Sequence, residues 1–131
     1  MNKVEQVVKP LEQVGEDIGL AEGAAMVQAY RQANPADTVT HIVGRNILEQ
    51  ILAQPGCAGI NIASAAKENG ERTLVFIGVD ADGQAITQYP VINVNGQLEQ
   101  KDAIVADRIK TEVQKPNTTV MPDFWDAVFG F

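Results

Sequence analysis

Between Val43 and Leu52 the apolar side chains return every three or four positions, and from Cys57 onward they return every second position. That change of period divides the chain into a helical first half and a stranded second half. Val43, Ile47 and Ile51 repeat at intervals of four, with Leu48 and Leu52 beside them, so one wide apolar stripe is predicted on a helix over 38–54. Asp37 or Thr38 is placed to cap it and Pro55-Gly56 to end it. His41, Arg45 and Glu49 form its opposite, polar line, and Glu49 is spaced to pair with Arg45. Upstream, Leu20, Ala24, Val27 and Arg31 share one line, with Met26, Tyr30 and Ala33 on the next, which predicts a helix over 20–33 closed by Asn34-Pro35. Val4, Val7, Leu11, Val14 and Ile18 also keep helical spacing, although Pro10 interrupts them and Gly15, Gly19 and Gly23 recur. Residues 1–19 therefore read as a helical arm, either a flexible entry or a closely packed helix.

In the second half, "CAGINIASAA" alternates, with Ala58, Ile60 and Ile62 on one face. Asn69-Gly70 then predicts a tight hairpin turn. The returning run "RTLVFIGV" is apolar on both faces, as a central, doubly covered strand would be. "DADG" turns the chain into "QAITQYPVINV", where Pro90 suits a break or an edge position. Asn95-Gly96 supplies another turn, and "AIVADRI" offers a last strand or a short helix. The expected fold is α+β: an antiparallel sheet of about three to five strands with two helices on one face. One domain over 1–131 is expected, with 20–54 as a helix pair, 57–110 as the sheet region and 111–122 as a strap.

Composition narrows the function classes. The 131 residues are 45% hydrophobic and 21% charged, the composition of a globular domain. The net charge of −7, with basic residues scattered and free of interleaved aromatics, disfavours nucleic acid and anionic membranes as partners. The start "MNKVEQVVKP" lacks the apolar core of a secretion signal, and Cys57 stands alone, so a cytoplasmic setting is expected.

Candidate chemistry is sparse. One His and one Cys exclude a four-ligand nitrogen–sulfur zinc site within one chain. His41 and Cys57 would fall at opposite ends of the predicted helix, which argues against a nucleophilic pair. Ser64 lies in ordinary strand sequence, with none of the glycines that frame a catalytic serine. Asp80, Asp82 and Gly83 resemble part of a calcium loop, but the flanking ligand positions fall on Gly78 and Tyr89, so a strand-to-strand turn fits better. Glycine-rich phosphate loops do not occur, and no cofactor is expected. If a small ligand binds, His41, Arg45, Asp107 and Arg108 are the polar groups to hold it.

The stretch "GRNILEQILAQPGCAGINI", followed by "RTLVFIGVDADGQAI", resembles an uncharacterised family of small bacterial proteins in which a helix ending "ILAQPGC" leads to a hairpin closing on "VGVDADG". The resemblance covers about Ala33 to Ile86 and implies one helix–helix–hairpin unit, with no activity, cofactor or catalytic residue attached. Outside it, the last nine residues, "DFWDAVFGF", gather Phe124, Trp125, Phe129 and Phe131 in a chain that is only 5% aromatic. Asp123 can cap a short helix there, with Trp125, Val128 and Phe129 on one face. Such a segment can pack on its own fold, on a second copy or on another protein. The leading expectation is a non-enzymatic, self-associating interaction module, with Phe124, Trp125, Val128, Phe129 and Phe131 as the docking residues. The alternative is a small-molecule-binding domain or modest enzyme with its site between helices and sheet.

Overall fold

The computed structural model describes residues 9–37 and 39–113. The chain is α+β, with two α-helices and antiparallel strand pairs. It forms two compact units, one containing the described residues up to Gly15 with His41–Lys110, the other Glu16–Thr40 with the described residues from Thr111 on.

In the second unit, α1 runs over Leu20–Ala33, as its periodicity predicts. Ala24, Val27 and Arg31, from the predicted apolar line, are half-buried, while Leu20, Met26 and Tyr30 are exposed. Asn34 closes the helix from both its backbone N–H and its side-chain amide, which donate to the Tyr30 carbonyl at 2.8 and 3.0 Å. Asp37 does not cap the next helix, which starts only at Arg45; its carboxylate instead accepts a hydrogen bond from the Tyr30 hydroxyl. The predicted helical arm shortens, in its described part, to a single 3-10 turn at Leu11–Gln13. Val14 is already extended, and Gly15 and Gly19 take φ values of 110° and 84°, which end helical continuity.

The helix predicted over 38–54 is instead a strand, β1 (Val39–Ile42), followed by α2 (Arg45–Leu52). Val39, Thr40, Ile42 and Val43 form a β-branched run whose extended preference overrides the four-residue apolar spacing, and Gly44 separates the two elements. No side chain caps α2; its N-cap is Gly44.

The strands form three small sheets in place of one. β2 (Gly59–Ala66), β3 (Arg72–Val79) and β6 (Val105–Ala106) form a three-stranded sheet in the order β2-β3-β6. β4 (Gln88–Ile92) and β5 (Leu98–Asp102) form a separate hairpin, and β1 pairs with β7 (Lys110–Val113). β3 is central, as its double-faced apolar pattern predicts: Phe76 and Gly78 are buried on one face, Thr73 and Val79 on the other. Pro90 sits in the two-stranded hairpin opposite Gln100, where a missing donor is tolerated.

The core of the first unit joins Ile51 of α2, Phe76 of β3 and Ala106 of β6, with Val43, Ile47, Leu48, Cys57 and Ile60 packed around them. Leu52, expected in the same stripe, is exposed. Gly78 sets how closely α2 approaches the sheet. A Cβ there would lie 3.0 Å from Cys57 Sγ, 3.0 Å from Gln54 Nε2 and 3.2 Å from Ile51 Cγ2.

Candidate functional site

A groove of about 560 Å³ opens beside this core. Val43, Gly44 and Ile47, at the start of α2, form one side; the run from Val105 to Ile109 forms the other. The second side is held from two directions. β6 pairs with β3, setting Val105 opposite Ile77 and Ala106 opposite Phe76. Gln54, only 5% exposed, bridges the end of α2 to the residue before β6. Its Nε2 donates to the Ile51 carbonyl at 3.0 Å, and its Oε1 accepts from the Ile104 N–H at 2.8 Å. Both amide atoms are thus used, which makes a buried Gln admissible.

Past β6 the chain turns at Arg108, a non-glycine residue with φ 63°, before entering β7. Asp107 anchors that turn. Its Oδ1 accepts a 2.6 Å hydrogen bond from the hydroxyl of Thr73, which is 2% exposed. The Thr73 hydroxyl first, and then the Arg108 backbone N–H, hold the Asp107 carboxyl below the ordinary carboxylate range.

The groove therefore brings together two of the four polar residues expected at a ligand site, Asp107 and Arg108. It does not collect the other two. His41 is half-buried on β1 and Arg45 is the exposed first residue of α2; neither lines the groove, although Val43 and Gly44 between them do. Nor does Arg45 pair with Glu49, since neither residue is in an ion pair among the described residues. Thr73 and Gln54 are the structural partners that periodicity overlooked. Gln54 had one readable signal, its spacing of three from Ile51, which places a polar side chain on the apolar stripe.

The remaining candidates settle into structural roles. Asp80 Oδ1 accepts from the N–H groups of Asp82 and Gln84, both at 2.9 Å, as a strand-to-strand turn requires. The half-buried Cys57 thiol donates to the Gly59 carbonyl at 3.2 Å and packs on the core. Among the described residues no cluster of three or more His, Cys, Asp or Glu is placed to hold a metal ion. No described helix is long and apolar enough to cross a membrane. Phe124, Trp125, Val128, Phe129 and Phe131 lie outside the described residues. No protein-family model, curated protein or solved structure matches this chain.

The groove sets aliphatic side chains beside a charged pair. Val43, Ile47, Val105, Ala106 and Ile109 line it, Val105 is 60% exposed, and the charged pair lies in the turn after Ala106. An open surface of this kind suits an apolar side chain inserted from outside. The Thr73 hydroxyl takes one oxygen of Asp107 and so orients its carboxylate in the turn.

Proposed function

We propose that the protein is a non-enzymatic, self-associating interaction module of the cytoplasm, with residues 123–131 as a docking element. The observation that carries this reading is the open aliphatic groove between the start of α2 and the run from Val105 to Ile109. Its aliphatic side chains would receive the apolar side chains of that segment from a second copy. In this reading the resemblance over 33–86 reflects shared family architecture, and the two helices serve as a scaffold for contacts.

Deleting residues 123–131 and measuring solution mass tests it. The deletion is expected to lower the oligomeric state or to expose an apolar surface that binds a hydrophobic dye. An unchanged, well-folded particle of the same mass would contradict the docking role.

A second reading is favoured by one observation, the presence of Asp107 and Arg108 in the groove lining. A small anionic metabolite with an apolar body would place its charge at Arg108. A thermal-shift screen would then return a hit that is lost in Arg108→Ala, and a blank screen over a broad panel of anions would count against it.

A further inference from the structure

We infer that the free edge of β2 is a dimerisation edge, at which two copies of this chain pair β2 against β2 in one two-fold register. This rests on the self-association reading and names the surface and the geometry of that contact.

β2 lies at the margin of its sheet, bonded on one side to β3 along its whole length from Gly59 to Ala66. Among the described residues its other side meets no strand. Which residues face that side follows from one hydrogen bond. The Ile86 N–H donates to the Gly78 carbonyl at 2.9 Å, so the peptide groups of Gly78 point away from β2. In an antiparallel ladder opposed residues point the same way with respect to each other, inward together or outward together. Ile60, opposite Gly78, therefore turns its N–H and C=O to the outer edge, and Ile62, Ser64 and Ala66 follow at every second position.

Exposed edges are usually protected by charge, proline or shortness. Three of the other strands follow this rule. β4 carries Pro90, β5 carries Glu99, Lys101 and Asp102, and β6 has only two residues. β2 has none of these protections. Between Cys57 and Ala66 there is no charged residue and no proline, in a chain that is 21% charged. Asn61 to Ser64 are exposed consecutively, on both faces of the strand, and Ile62 is 56% exposed.

The edge is also self-complementary. A two-fold axis through Ala63 sets Ile60 opposite Ala66 and Ile62 opposite Ser64, so every outward-facing residue of the strand finds an outward-facing partner. About eight inter-chain backbone hydrogen bonds result from those four two-bond pairs. Ala63 meets its own copy in a closely spaced, non-hydrogen-bonded pair, where a small side chain fits. The charge of −7 on each copy opposes association, and least so at a neutral contact, which β2 provides. The product is a continuous six-stranded antiparallel sheet.

The test uses the full chain and solution mass by light scattering. The wild type is expected at twice the 14.1 kDa chain mass. Ala63→Lys opposes two like charges on the axis, and Ser64→Pro removes an edge donor that β3 does not use; each is expected to give a folded monomer. A third variant fixes the register independently of folding losses. In a Cys57→Ser background, Ala63→Cys is expected to form an inter-chain disulfide readily under mild oxidation, whereas Asn61→Cys, held away from its copy, is expected to cross-link at least about tenfold more slowly. A monomeric wild type overturns both this inference and the self-association reading. Dimers that persist in Ala63→Lys and Ser64→Pro but are lost on deleting 123–131 overturn the β2 edge alone. Loss in the edge variants with an intact dimer after that deletion supports the edge. Equal cross-linking at both cysteine positions overturns the register.

Discussion

Gly78 owes its place to what surrounds it. Three heavy atoms of Ile51, Gln54 and Cys57 stand 3.0–3.2 Å from where a Cβ would be, and all belong to α2 or the turn that follows it. Gly78→Ala is therefore expected to push α2 off β3 and to destabilise the fold by about 1–3 kcal/mol, as overpacking does, measured by urea denaturation. Asp107 makes a different kind of prediction. Its carboxyl is held below the ordinary range by the Thr73 hydroxyl, so the folded state favours the ionised form. The stability this contributes is fully present above the ordinary carboxylate pKa and is lost as pH falls through the lowered value. Thr73→Val should move the Asp107 titration upward, which an NMR pH titration of the carboxyl would detect. An unmoved titration would show that the 2.6 Å hydrogen bond does not stabilise the charge. Neither Gly78 nor Thr73 is conspicuous in the sequence. Each sits inside an apolar strand, and its importance comes from residues distant along the chain.

At the scale of elements, local chemistry carried the reading where it was uncontested. α1 has the predicted bounds because Asn34-Pro35 ends it and a regular apolar line fills it. The turns were found, but their conformation differs from that of a two-residue hairpin turn. Gly70, Gly83 and Gly96 take φ values of 88°, 82° and 78°, whereas Asn69 and Asn95 keep negative φ. In the later two turns the first residue organises the loop. Asp80 Oδ1 takes the N–H groups of Asp82 and Gln84, and Asn93 Oδ1 takes those of Asn95 and Gln97 at 2.9 and 3.0 Å. Asp80→Ala and Asn93→Ala are each expected to cost about 1 kcal/mol in chemical denaturation, since both leave two turn donors to solvent. Asp82→Ala should cost less, because Asp82 enters the turn through its backbone N–H and not through its side chain. β1 departs from the expected helix because helical spacing and β-branched composition disagree there and composition wins. Division into three sheets was not legible either. Hairpins are specified locally, but the pairing of β3 with β6 joins Phe76 to Ala106 across a connection that no local pattern encodes.

For the whole molecule, half of the expected polar site converges. Asp107 and Arg108 share the groove because they are adjacent in sequence, whereas His41 and Arg45 were grouped by a helical line that β1 breaks. The aliphatic side of the groove was more legible, since Val43 and Ile47 come from the predicted stripe of α2. Acidity bears on assembly. With −7 on each copy, long-range repulsion opposes association, so self-association is expected to tighten as salt rises from low to physiological ionic strength. Weakening with salt would point instead to a contact made by opposite charges.

Solution mass of the full chain across a concentration series, at physiological salt and neutral pH, tests the proposal of a self-associating module most directly. The mass is expected to converge on twice the 14.1 kDa chain mass as concentration rises. A mass that stays at 14.1 kDa throughout the series would contradict it.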